Sequence, residues 1–177
     1  MIIAISGSVG CGKTSLSKKL AEKLNFKLVH LNDLAEKFKI DDVDNLQTFD
    51  FDLDKLLDSI EEDIRVWIKN NENIILEGHF AHDLDYNLVD KLVIISRPLN
   101  LLKQEYKKRG YNDKKISDNL EVESFNLCFY EAIENGYGEE SSELADLNNK
   151  NSEKLKLFEN DSSLEKLVLE VEEFIFN

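Results

Sequence analysis

At 177 residues, 42% hydrophobic and 33% charged, the chain is long enough to bury a substantial core and has the composition of neither a disordered nor a fibrous protein. Its 36 acidic residues outweigh 22 basic ones for a net charge of −14. That excludes strong direct binding of nucleic acid through neutralised phosphates and suits a basic protein partner instead. No apolar run approaches a membrane span and no signal peptide is evident, so a cytoplasmic location is expected, or a nuclear one in a eukaryote. Cys11 and Cys128, the only cysteines, have no C-x-x-C spacing, which argues against a disulfide framework and against a zinc site of that kind.

Hydrophobic runs alternate with helical periods from the first residue onward, the pattern of a parallel α/β domain. Ile2–Ser6 reads as a buried strand. Gly7-Ser8-Val9-Gly10-Cys11-Gly12-Lys13-Thr14 follows it and satisfies G-x-x-x-x-G-K-[ST] without a mismatch. A helix with Leu16, Leu20 and Leu24 comes next, over Thr14–Leu24. Glycines there let successive N–H groups curl round an anion at a helix N-terminus. Lys13 is placed for the β- and γ-phosphates of a nucleoside triphosphate, and the Thr14 hydroxyl for Mg²⁺. Cys11 is either a small filler of this loop or a thiol acidified by the helix N-terminus.

Lys27–Leu31 reads as a second strand, with Asn32 or Asp33 as N-cap of a short helix through Phe38. Residues 41–52 are acidic and read as an exposed loop. Leu53, Leu56, Leu57, Ile60, Ile64, Trp67 and Ile68 mark a long amphipathic helix. Ile74–Leu76 and Leu92–Ile95 are short apolar runs typical of central parallel strands. A helix over Leu99–Arg109 ends at Gly110, and another begins near Ser117 or Asp118, with Val122, Phe125, Phe129 and Ile133 on one face. Residues 135–153 read as a polar loop with some short helix, and Leu155–Phe158 as the last strand. Ser162-Ser163-Leu164-Glu165 reads as a capping box opening a final helix.

Two further groups of residues belong with the phosphate loop. Glu77 ends the strand of Ile74-Ile75-Leu76, at the sheet edge where such enzymes hold magnesium directly or through water. His79, two residues on, either joins that site or is an ordinary structural histidine. The basic run Lys107–Lys115 straddles the break at Gly110. The chain has only three arginines, Arg65, Arg97 and Arg109, against nineteen lysines, so arginine at a strand end (Arg97) or in the basic run (Arg109) points to bidentate phosphate binding. Arg65, amid Glu61, Glu62 and Asp63, reads as a surface ion pair. The guanine-reading and D-x-x-G motifs of a signalling GTPase are missing, and a motor ATPase needs more chain.

The phosphate loop, His30-Leu31-Asn32-Asp33-Leu34-Ala35, Glu77-Gly78-His79 and Arg109-Gly110-Tyr111-Asn112-Asp113-Lys114-Lys115-Ile116-Ser117-Asp118-Asn119-Leu120 together resemble the adenylate kinase isoenzyme 6 family. These are nuclear or archaeal nucleotide kinases tied to small ribosomal subunit maturation. The last segment carries the family's R-G-Y-x-x-x-K-[IL]-x-[DE]-N lid signature and is the most specific of the four. The resemblance implies a three-layer phosphate-loop nucleoside-kinase fold: one domain over residues 1–177, with about five parallel strands and helices on both faces. It implies an acceptor nucleoside monophosphate region at about 30–53 and a lid at about 108–118. It further implies phosphoryl transfer from Mg·ATP to AMP, ATPase activity and a small-subunit ribosomal protein as partner. Gly10, Gly12, Lys13, Thr14 and Ser15 would hold the ATP phosphates and Arg109 would reach ATP from the lid. Glu77 and His79 would take the family's acid-x-His positions. Glu36-Lys37, the acidic stretch after it and the tail beyond Tyr137 depart from the family's pattern.

Overall fold

A computed structural model describes residues 1–43, 48–138, 152–161 and 163–177. Five parallel strands form the main sheet in the order β2 (Lys27–His30), β5 (Ile74–Glu77), β1 (Ile2–Ser6), β6 (Lys91–Ser96), β7 (Leu155–Glu159). The central three strands are continuous apolar runs because both of their faces are covered. Alternate residues divide between two cores. Ile2, Ala4, Leu76, Leu92 and Ile94 pack with Leu56, Ile60 and Ile64 of α3 (Leu53–Lys69) and with Phe129 and Ile133 of α6 (Leu127–Glu134). Ile3, Ile5, Ile75, Val93 and Ile95 pack on the other face with Leu16 and Leu20 of α1 (Lys13–Leu24) and with Val168 and Val171 of α7 (Leu164–Phe176). Each such fully buried aliphatic side chain contributes about 1.5–3 kcal/mol, and the period of two places the helices on both faces of the sheet. This is the α/β kinase-type fold expected from the sequence.

A smaller third core holds Leu102 and Tyr106 of α4 (Leu99–Lys108) and Ile116 of α5 (Asp113–Ser124), with Val9 of the phosphate loop packed against them. The basic segment is thereby anchored beside the loop. Gly110 sits at φ +71° between α4 and α5, with open space around its Cα.

Four local expectations need correction. The acidic stretch is not a loop: β3 (Lys39–Val43) and β4 (Thr48–Phe51) form an antiparallel hairpin, and residues 44–47 lie outside the described residues. Its acids face solvent while Phe49 and Phe51 pack on the α3-side core, Phe51 lying 5.4 Å from Phe80 between ring centroids. The helix after β2, α2 (Leu31–Ala35), begins at once with His30 in the cap position, so Asn32 and Asp33 lie in its first turn; Glu36–Phe38 is a single 3₁₀ turn. The helix expected from near Ser117 or Asp118 onward is two helices, because Asn126 adopts φ +50° between them; α5 starts at Asp113, four residues before Ser117, with Asn112 as its cap, and Phe125 is exposed. At the last helix the cap is Ser163, whose hydroxyl accepts from the Lys166 amide, so the frame moves on by one residue; Ser162 lies outside the described residues. Most of the polar loop expected at 135–153 also lies outside them. Arg65 does pair with Glu61, at 3.3 Å on the surface of α3.

Candidate active site

The turn between β1 and α1 is built by its carbonyls. Lys13 Nζ donates to the carbonyls of Gly7 at 2.7 Å and Ser8 at 2.8 Å. Tyr106 Oη donates to Val9 O at 2.6 Å, Arg97 Nη1 to Gly10 O at 3.1 Å, and Asn160 Nδ2 to Cys11 O at 2.7 Å. Five consecutive carbonyls are thus held by side chains from α1, α4, the end of β6 and the end of β7, which leaves the loop amides for an anion. Gly10 and Gly12 take φ +81° and +107°, a conformation costly for any residue with a Cβ. A Cβ at Gly12 would also lie 2.3 Å from Asn160 Nδ2. The N-cap position Gly12 supplies no side-chain hydrogen bond to α1; its carbonyl accepts from the Ser15 and Leu16 N–H groups, while helix geometry leaves the N–H groups of Lys13 and Thr14 without a partner in the helix.

These groups face a cavity of about 320 Å³ lined by Gly10, Gly12, Lys13, Thr14, Ser15, Glu77, His79, Arg97 and Arg109, among others. Every site residue expected from the sequence therefore lies on one cavity. Thr14 Oγ1 is 3.3 Å from Glu77 Oε1, and His30 Nδ1 is 2.7 Å from Glu77 Oε2. The register explains the trio: His30 and Ile5 both pair with Glu77 across adjacent parallel strands. A hydroxyl and a carboxylate at this spacing suit a hard cation that takes oxygen ligands. His79 Nδ1 lies 3.1 Å from Asn32 Oδ1 at the start of α2. Although its edge is open to solvent, desolvation, then the charges of Lys13 and His82, hold its pKa down to about 4, so its ring is neutral at pH 7.

Arg97 is half-buried. Its backbone N–H and the Ser8 hydroxyl both donate to the Glu123 carboxylate, and its Nε is buried without a partner. Arg109, at the end of α4, is more exposed and holds Glu105 at 2.8 Å. Glu123, Tyr106 and Asn160 are part of this construction although sequence reasoning assigned them nothing, and His30, named there only within a family segment, joins them as the partner of Glu77. Desolvation pushes the Glu123 carboxyl up, against the pull of the Ser8 hydroxyl and the Arg97 amide. Of the two readings of Cys11, the filler holds: burial, only partly opposed by Lys13, pushes its thiol up, which is the opposite of an acidified thiol.

A second cavity, about 360 Å³, adjoins the first and shares Val9 and His79 with it. Its apolar wall is Phe51, Leu53 and Phe80; His82, Asp83, Asn119 and Glu131 supply its polar groups. The β3–β4 hairpin and α5 thus frame it from opposite sides.

Parallel sheet order, tied phosphate loop and strand-end acid define a protein with the phosphate-loop kinase fold. Comparison with known proteins goes one step further. Residues 3–126 match the family described as "AAA domain". A "Putative adenylate kinase" from Thermococcus kodakarensis is 34% identical over 134 residues, covering 76% of this chain and 71% of the relative. One of the same name from Methanocaldococcus jannaschii is 33% identical, covering 75% and 72%. The chain belongs to this family of archaeal adenylate kinase-like proteins. A solved structure titled as a putative kinase from Chloroflexus aurantiacus matches with TM-score 0.59 at 16% identity, covering 98% of this chain and 97% of the other, a likeness of fold. Among the described residues no helix is long and apolar enough to cross a membrane.

Proposed function

We propose that the protein is a nucleoside monophosphate kinase that transfers the γ-phosphoryl group of ATP to AMP. One observation carries this reading above the others: two cavities of nucleotide size meet at His79 and Val9, and Gly10, Gly12, Lys13, Thr14 and Ser15 line the first but not the second. ATP lies with its phosphates in the first, against the loop amides, Lys13, Thr14 and Ser15. The acceptor lies in the second, under the hairpin at the end of the 30–53 region. The names of the archaeal relatives support the choice of AMP.

Transfer of a phosphoryl group needs no covalent enzyme intermediate, only in-line placement and compensation of charge on the moving group. Lys13 exchanges the carbonyls of Gly7 and Ser8 for the β- and γ-phosphates, a stronger, charge-assisted pairing. Thr14 and Glu77 would hold Mg²⁺, which neutralises the phosphate oxygens when bound. Arg97 is held at the loop and keeps one donor free for a phosphate oxygen. Arg109 gives up an exposed ion pair worth little and closes over the transferring group as the segment 108–118 swings at Gly110. Neutral His79 stands between donor and acceptor, able to accept or donate one hydrogen bond without adding charge. Closing the segment also excludes water and so limits hydrolysis.

The net charge of −14 supports a second reading. In it, ATP turnover drives release of a basic small-subunit ribosomal protein during ribosome assembly, and ATPase activity matters more than transfer. The two are separated by measuring ATP consumption with AMP, with other nucleoside monophosphates and with such a ribosomal protein. Stimulation by a monophosphate, with matching ADP production, supports the kinase. Stimulation by the ribosomal protein alone overturns it.

A further inference from the structure

His82 stands apart from the ATP machinery, buried on the 3₁₀ turn of Ala81–Asp83. Its Nδ1 is 2.7 Å from Ser6 Oγ, which also lies 3.1 Å from the His79 carbonyl. Its Nε2 lies 2.9 Å from Glu131 Oε2 and 3.7 Å from Asp83 Oδ1. Asp83 is already engaged by the Asn135 side chain. Ser6 thus holds the ring from one side and turns Nε2 toward Glu131, where either a ring proton or a cation can bridge nitrogen and carboxylate.

Cys128 adds a third donor atom at the same place, and it is this set of three that suits a cation. It lies three residues before Glu131 on α6, the spacing that puts two side chains on one helix face. His82 Nε2, Cys128 Sγ and a Glu131 carboxylate oxygen all lie within 4.8 Å of one another. Ligands about 2.0–2.3 Å from a tetrahedral ion stand about 3.3–3.8 Å apart, so small side-chain rotations close the set. All three line the second cavity, which supplies an entry path and an open fourth position.

We propose that His82, Cys128 and Glu131 form a binding site for a thiophilic divalent cation, zinc by preference, on the wall of the second cavity. One nitrogen, one sulfur and one oxygen donor select zinc or cobalt over magnesium. Ser6 orients the imidazole from behind, as the outer partner of a metal-bound histidine does. Binding displaces the Cys128 thiol proton to solvent, so the bound ligand is the thiolate. The spacing of Cys11 and Cys128 gave no sign of this, because its ligands come from β5's exit and from α6 and meet only in the fold. The site does not depend on which reaction the protein catalyses.

The test is titration of the metal-free protein, without nucleotide, with Co²⁺ and Zn²⁺. The expected result is one equivalent of Co²⁺ with a sulfur-to-metal charge-transfer band that Zn²⁺ bleaches. Cys128→Ser should abolish the band, His82→Gln should weaken binding at least about tenfold, and Cys11→Ala should leave the band in place. Binding at Thr14 and Glu77 would give no sulfur band, which separates the two sites. Absence of the band in the unsubstituted protein overturns the proposal and leaves His82 and Glu131 as a hydrogen-bonded pair. A band that survives Cys128→Ser overturns it as well.

Discussion

Removing a single oxygen at Tyr106 tests the construction of the phosphate loop. The Tyr106 side chain is fully buried, and its hydroxyl donates to Val9 O at 2.6 Å. Tyr106→Phe keeps the ring against Leu102 and Ile116 and stacked on Tyr111 at 5.8 Å, so no cavity opens. What is lost is one hydrogen bond, and what remains is a carbonyl with no donor on that side. An unsatisfied buried acceptor costs about 1–3 kcal/mol. The shape of the site is otherwise unchanged, so the middle of that range, about 2 kcal/mol, is expected. In a chain of this size that lowers the Tm by about 4–8 °C. The Val9 carbonyl is then free to turn inward, toward the phosphates, so ATP binding should weaken too, by several-fold. Urea unfolding with an unchanged m-value, together with an ATP titration, measures both effects. Asn160→Ala frees the next carbonyl but one, and because both residues hold one loop their effects on ATP affinity should be non-additive. A Tyr106→Phe protein with stability within about 0.5 kcal/mol of the parent, in the range of an ordinary surface substitution, and unaltered ATP affinity would refute the argument that tied carbonyls shape the nest.

Other predictions concern the cavity itself. Arg109→Ala should lower kcat about 10²- to 10³-fold, the usual cost of a lost charge-stabilising donor, with a few-fold effect on ATP affinity; Arg109→Lys should recover only part, since an ammonium lacks the bidentate fork. Wild-type kinetics for Arg109→Ala would make the basic segment a solvated face. Glu77→Gln should raise the Mg²⁺ concentration needed for half-maximal turnover about 10- to 100-fold while nucleotide binding without metal survives; an unchanged magnesium dependence contradicts the role given to Glu77. His79, followed by its ring-proton NMR signals, should titrate near pH 4. Because the unfolded chain takes that proton near the ordinary pKa of about 6.5, His79 makes the fold less stable as pH falls from there toward 4, and His79→Gln should remove that part of the acid sensitivity. A signal titrating near 6.5 refutes the assignment.

The sheet was legible because its three central strands are short apolar runs and the loop motif carries its own geometry: residues 7–14 predict a strand before them and a helix after. Glu77, Arg97 and Arg109 were legible for a related reason, since the carboxyl ends of parallel strands and the break at Gly110 mark the rim where ligands collect. What escaped was whatever depends on distant partners. Tyr106 reads as one more apolar position on α4, and Asn160 as a loop residue; only the packing of α4 and the end of β7 against the loop reveals them as donors to its carbonyls. His30 becomes a partner of Glu77 through strand register alone. Phe49-Asp50-Phe51-Asp52 does alternate as a strand should, but the acids around it masked a hairpin with one wet face. The break at Asn126 was hidden because a helix-period stripe ran through it, with Phe125 counted as core although it faces solvent.

Transfer of a phosphoryl group from ATP to AMP across the junction at His79 is the proposed reaction of this protein. ATP labelled at the γ-phosphate, incubated with Mg²⁺ and unlabelled AMP, tests it most directly. The expected result is label in the β-position of ADP, at a rate that saturates with AMP and is abolished in a folded Lys13→Ala protein. Label appearing only in inorganic phosphate, whether or not AMP is present, would contradict it.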